Sequence, residues 1–178
     1  TMRTLAFNPA ASYPTPAVEG DVANQDLHSM SVPDMVIITT PEYTGVSQRL
    51  AALHKQYQDM DVAVVDHNLI FNEFSSGTRD AMAYRRFLKM LYDRNPQKMR
   101  YLLLMGPVNY DNRCIQVPQA DRLLCYENND MYQMRNTISN YASDNFFGML
   151  SDQYAHSNII REMTHLAVGR VPALNVGQ

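Results

Sequence analysis

Three short, unbroken apolar runs, "MVIIT" at 35–39, "VAVV" at 62–65 and "YLLLM" at 101–105, restrict this chain more than any other feature. A strand with one face in water alternates apolar and polar residues. These runs do not, so each reads as a strand buried on both faces. Between them the apolar spacing turns helical. Val46, Leu50, Leu53 and Tyr57 step by four, three and four, and Ala83, Phe87, Met90 and Leu91, flanked by Tyr84 and Leu88, form a second inner face. Thr78 or Asp80 supplies the N-cap of the second helix, and Asn95-Pro96 ends it. Strand, helix, strand, helix, strand requires parallel pairing, because each connection must travel back over a face of the sheet. The expected fold is α/β, an open, mainly parallel sheet with flanking helices.

The pattern changes after Gly106. Arg113–Val117 and Leu123–Tyr126 read as two short strands joined through 118–121, a β-hairpin insertion. The stretch "ENNDMYQMRNTISNYAS" has no clean period and reads as loop, "DNFFGML" as a further strand, and Leu166–Val168 as the last strand. Upstream, residues 1–33 hold Pro9, Pro14, Pro16 and Pro33 among small and polar residues. That composition opposes a regular helix and suggests an extended arm, with one strand at Arg3–Asn8.

At 178 residues the chain is long enough to bury a core without help from disulfides or metals. Its net charge of −3 provides no general attraction to nucleic acid or to an anionic membrane. No apolar run approaches the roughly 20 residues of a membrane span. The start, "TMRTLAFNPA", lacks the apolar centre of a signal peptide.

Open α/β sheets bind ligands beyond the carboxyl ends of their strands. There "TTPEYTGVS" has one glycine and a proline where a dinucleotide site needs G-x-G-x-x-G, and no phosphate-binding G-x-x-x-x-G-K-[ST] occurs anywhere. Asp66 and His67 end the second strand, but neighbours in a strand point to opposite faces, so His67 is expected to be a structural residue hydrogen-bonded near the surface. His54 lies one position off its helix's apolar stripe and is expected to be solvated. His28, His156 and His165 show no metal-binding spacing. Ser75-Ser76-Gly77-Thr78 reads as a loop plus helix cap rather than a G-x-S-x-G elbow. Met82, Met90 and Met99 read as core rather than as a soft-metal site. The thiols Cys114 and Cys125 both fall in the expected hairpin, where a disulfide or two packed thiols are favoured over a catalytic centre. Asp144, Asp152 and Glu162 could contribute to calcium, which takes carboxylate and carbonyl oxygens, but no D-x-[DN]-x-[DN]-G loop is present, so solvated loop residues are the favoured reading.

Five segments taken together carry a resemblance: "NQDLHSMSVPDMVIITTPEY", "FNEFSSGTRDAMAYRRFLKMLYDR", "YLLLMG", "YASDNFFGML" and "AVGRVP". In content and order the chain resembles the gingipain-like cysteine peptidases, most closely members that act as signal peptidase and sortase in type IX secretion. The resemblance implies a caspase-like α/β catalytic domain of two subdomains. Residues 1–33 would be an arm from a preceding β-rich region, and 34–178 the N-terminal subdomain. The catalytic His and Cys would lie in a C-terminal subdomain beyond Gln178, leaving no catalytic residue and no activity in this chain. The implied partners are that subdomain, protein substrates and other secretion components, with the parent at the outer membrane surface or outside the cell and membrane contact only through it. The resemblance also favours calcium at Asp152 and Glu162, in the loop before the last strand. Pro107 and Val108 stand where members usually carry Asp and Gly. A non-catalytic binding or assembly module derived from the family is the alternative, and a flavodoxin-like small-molecule domain the third reading.

Overall fold

A computed structural model of the chain describes residues 7–18, 20, 21, 23–109, 121–128, 141–152 and 163–177. In chain order the elements are β1 (Met35–Thr39), α1 (Thr44–Gln58), β2 (Val62–Asp66), α2 (His67–Phe74), α3 (Ala81–Arg94), β3 (Tyr101–Met105), β4 (Val108–Asn109), β5 (Leu123–Leu124), β6 (Tyr126–Asn128), β7 (Tyr141–Ser143) and β8 (Ala167–Val171). Short 3-10 turns form at Leu27–Ser29, Pro41–Tyr43 and Asn145–Gly148.

The main sheet is wholly parallel, in the order β2-β1-β3-β8. Strand β1 lies between β2 and β3, with Ile37 opposite both Val64 and Leu103, and all five of its residues are buried. Its unbroken apolar run is explained by the two cores it separates. Val36 and Ile38 join Ile70 and Phe71 of α2 and Phe87 and Leu88 of α3 on one face. Met35 and Ile37 join Tyr43, Met105 and the α1 residues Val46 and Leu50 on the other.

Helix α1 occupies the expected segment, but its buried stripe is rotated. Val46 and Leu50 pack inward, whereas Leu53 and Tyr57 are 49% and 75% exposed. Ser47 and Ala51 take the inner positions instead. Ser47 tolerates burial because its hydroxyl donates to the carbonyl of Tyr43 and meets Thr39 Oγ1. For α3 the expected face is largely the observed one, and Asp80 supplies the cap by accepting from the amide of Met82.

Other expectations are revised. His67, expected to end the second strand, instead opens helix α2, "HNLIFNEF", which is capped by the Asp66 carboxylate accepting from the amide of Asn68. His67, Ile70 and Phe71 form its buried side, a helical spacing that follows the strand without a break. Leu123–Leu124 pairs in parallel with Val108–Asn109, while Tyr126–Asn128 pairs antiparallel with Tyr141–Ser143. The described half of the expected hairpin thus has other partners, and Arg113–Val117 lies outside the described residues. "DNFFGML" forms a 3-10 turn rather than a strand, because Phe146 and Phe147 enter the same core, which successive strand side chains cannot do. A β-carbon on Gly148 would come within 2.8 Å of Val168 Cγ2, so only glycine permits this approach of the turn to β8. The last strand runs to Val171 rather than ending at Val168. The expected strand at Arg3–Asn8 falls mostly outside the described residues, and Phe7 and Asn8 are not in a strand.

Phe87 is wholly buried beside Phe74, so Phe87→Ala should lower unfolding free energy by about 3–5 kcal/mol. Leu53→Ala, on the exposed side of α1, should change it by less than about 0.5 kcal/mol. Urea unfolding measures both, and a small effect of Leu53→Ala checks the rotated stripe of α1.

Candidate functional site

In the strand order, β2 lies on one side of β1 and β3 on the other, which puts the topological switch between β1 and β3. A cavity of about 400 Å³ opens at the carboxyl ends of those two strands. Thr40, Pro41, Glu42 and Tyr43 line it from the turn after β1, Pro107 from the end of β3, and Asp121, Arg122 and Leu174 from neighbouring segments. Tyr43 is pinned in the wall, its hydroxyl donating to the carbonyl of Ala173 at 3.0 Å. Just past β3, Gly106 has φ +137°, a backbone conformation that side-chain-bearing residues rarely adopt.

Behind Asp121 runs a buried polar chain. His67 Nε2 is 2.7 Å from Asp121 Oδ1, and His67 Nδ1 is 2.9 Å from the Tyr84 hydroxyl. An ionised carboxylate only accepts, so Nε2–H donates to Asp121 and Nδ1 accepts from Tyr84. This is the neutral imidazole. Burial, only partly opposed by Asp121, pushes the His67 pKa below its ordinary value. Burial also pushes the Tyr84 hydroxyl up, keeping it a donor. Burial alone would raise Asp121, but His67 and Arg79 outweigh it and hold the carboxyl below its usual range. Arg79 Nη1 donates to Asp121 at 3.0 Å and its Nη2 to the carbonyl of Arg122. The chain therefore fixes the segment at 121–122 against α2 and α3.

A second anchor is Arg170 on β8. Its Nε and Nη2 grip the two carboxylate oxygens of Asp144 at 2.7 and 2.6 Å, while Nη2 also donates to the carbonyl of Leu124. Bidentate guanidinium–carboxylate pairing of this kind combines charge with fixed orientation. Arg85, nearly buried on α3, similarly donates to the carbonyls of Met149 and Ser151.

The profile of Peptidase family C25 matches residues 28–178. The chain belongs to peptidase family C25. Its fold is similar to the crystal structure of dimeric latent PorU from Porphyromonas gingivalis, with a TM-score of 0.77 and 36% identity over 89% of this chain and 16% of that one. The C25 chain thus corresponds to a small part of PorU's length. No curated protein matches it.

In this C25 chain the sequence candidates are dispersed. His67 has the expected structural role but is fully buried rather than near the surface, because as the first residue of α2 it turns beneath α3. His54 is partly buried and meets Gln58 Oε1. His28 pairs with Glu73 at 2.6 Å and stacks on Phe74, and His165 Nδ1 accepts from the amide of Leu150. Asp26, His28 and Glu73 approach one another closely enough to hold a cation. Yet the Glu73 carboxylate is already occupied by Gln25, the amide of Leu27 and His28, an arrangement that clasps the N-terminal arm to α2. Asp152 is exposed and 3.2 Å from Lys89, and Asp144 is held by Arg170. Glu162, Cys114 and His156 lie outside the described residues. Cys125 is buried; desolvation, reinforced by Glu127, pushes its thiol pKa up to about 11. Asp121, Arg79 and Tyr84 are not among the sequence's candidate site residues; there Tyr84 only flanks the inner face of α3, and 121 only ends the hairpin connection. Asp121 lies 54 positions from His67, and no local spacing signals that pairing.

The lowered His67 pKa means that the unfolded chain takes up this proton more readily than the folded one. Stability present above about pH 6.5 should therefore decline as pH falls below it toward the folded-state value. Thermal melts between about pH 7.5 and pH 5.5 should show a larger loss for the native sequence than for His67→Gln, which bonds both neighbours without titrating. Separately, Arg170→Ala should cost about 1–3 kcal/mol, since it removes the charge-assisted hydrogen bonds to Asp144 and to the carbonyl of Leu124 at a partly exposed pair, and Arg170→Lys should recover only part of that.

Proposed function

We propose that this chain is the N-terminal subdomain of a gingipain-like cysteine endopeptidase that removes C-terminal secretion signals from proteins exported by a type IX route. In this reading a second subdomain supplies the catalytic histidine and cysteine. Its thiolate attacks the scissile carbonyl, the histidine carries the proton, and the acyl-enzyme passes to water or to an amine. The parent works at the outer membrane surface or outside the cell. No helix among the described residues is long and apolar enough to cross a membrane.

The observation that carries this reading is the contrast between family and thiol. Peptidase family C25 matches 28–178, yet Cys125, the thiol within the described residues, is buried and held protonated near neutral pH. A nucleophilic cysteine needs the reverse, an accessible site that lowers its pKa. In this reading the half serves as a rigid frame, whose strand ends and anchored segment at 121–124 support the second subdomain.

A non-catalytic module of the secretion apparatus is the second reading, favoured by Pro107. At the cavity wall it has no amide to donate to a ligand or a docked segment. Calcium at Asp152 and Glu162 is a separate proposal. The ion would have to take Asp152 from the ammonium of Lys89, so binding should release Lys89.

Incubated with peptides bearing C-terminal secretion signals, the 178-residue chain should show no cysteine-dependent cleavage. Turnover lost on Cys125→Ala or Cys114→Ala would overturn the frame reading. The parent containing both subdomains should cleave such peptides and lose turnover when the second subdomain's cysteine is replaced. An inert parent that still binds secretion components would favour the module.

A further inference from the structure

The cavity at the β1/β3 switch carries charges that the fold does not use. Asp121 is committed to His67 and Arg79, but neither Glu42 nor Arg122 makes a side-chain hydrogen bond or ion pair among the described residues. Glu42, next to Tyr43 in the turn after β1, and Arg122, next to Asp121, are both exposed and line the same cavity, so side chains of opposite charge border one space. In the same lining the Thr40 hydroxyl is buried without a hydrogen-bond partner. A buried hydroxyl left in this condition costs stability, whereas the side chains of Glu42 and Arg122 are open to the cavity and to anything that enters it.

We propose that this cavity binds a small zwitterion, an amino acid or very short peptide with an apolar side chain. Its carboxylate meets Arg122, its ammonium meets Glu42, and its apolar stem lies among Pro41, Pro107 and Leu174. A simple anion fits poorly, because it would face the carboxylates of Glu42 and Asp121 against one unpaired guanidinium. A simple cation leaves Arg122 unused. A ligand carrying both charges answers both. The volume of about 400 Å³ is within the range of small-molecule sites, and the switch point is where open α/β sheets place them. This inference does not rest on the peptidase reading and stands or falls independently of it.

The test titrates the 178-residue chain, labelled with nitrogen-15, with L-leucine, N-acetyl-leucine, leucinamide and the dipeptide Leu-Leu. Leucine should shift the amides of Thr40, Tyr43 and Arg122. Acetylation or amidation, each removing one charge, should weaken binding about tenfold, the equivalent of one charge-assisted contact. Arg122→Ala should weaken leucine and N-acetyl-leucine but spare leucinamide, and Glu42→Gln should do the reverse. Tighter binding of Leu-Leu than of leucine assigns the site to short peptides, and the opposite order to free amino acids; both support the proposal. It fails if leucine at about 20 mM moves none of these amides, a concentration that would saturate a millimolar site. It fails equally if folded Arg122→Ala binds leucine as the native sequence does.

Discussion

Burial of β1 on both faces and pairing along both edges is the constraint on which the rest of the structure depends. With Met35–Thr39 sealed between two cores, neither face of the sheet centre can be left to solvent, and helices must cover both. Parallel register with β2 and β3 then sends the ends of all three strands the same way. Thr40, His67 and Gly106, each just past its strand, are consequently gathered at one end of the molecule. The position of the site follows from the pairing scheme, before any functional side chain is considered.

At that end two different kinds of polar interaction do different work. The neutral His67, between Tyr84 and Asp121, satisfies buried groups with little net charge and gives a fixed orientation. Arg170, gripping Asp144, uses full charges at the margin of the core, where partial exposure limits the desolvation penalty. Neither arrangement resembles an activated nucleophile. Cys125, buried with its thiol pKa pushed up to about 11, is no activated nucleophile either, so the polar groups described at this end hold segments in place.

Much of the frame was legible in the sequence because it depends on local periodicity. The runs at 35–39 and 101–105 are β1 and β3 to the residue, and the α3 face follows its apolar spacing. Failures arose where tertiary context overrode the local pattern. Leu53 and Tyr57 extend the stripe of α1 on paper, but Ser47 and Ala51 face the sheet. Helix α2 was obscured because it follows β2 with no intervening loop, although Asp66 as a cap and the spacing of His67, Ile70 and Phe71 would have shown it. The site was least legible. Asp121 meets His67 only because the chain returns past α2 after β3, and a pair so distant in sequence leaves no periodic trace.

The Arg170 grip also bears on how such a chain can diversify. One guanidinium ties together Leu124, Asp144 and β8, so the long excursion between β3 and β8 is stapled to the frame at defined points. Between staples, lengthening a loop costs only about 0.6 kcal/mol for each doubling. Relatives sharing this grip are therefore free to lengthen, shorten or rewrite that excursion while the four-stranded frame stays in register, which makes it the natural place for lineages to diverge.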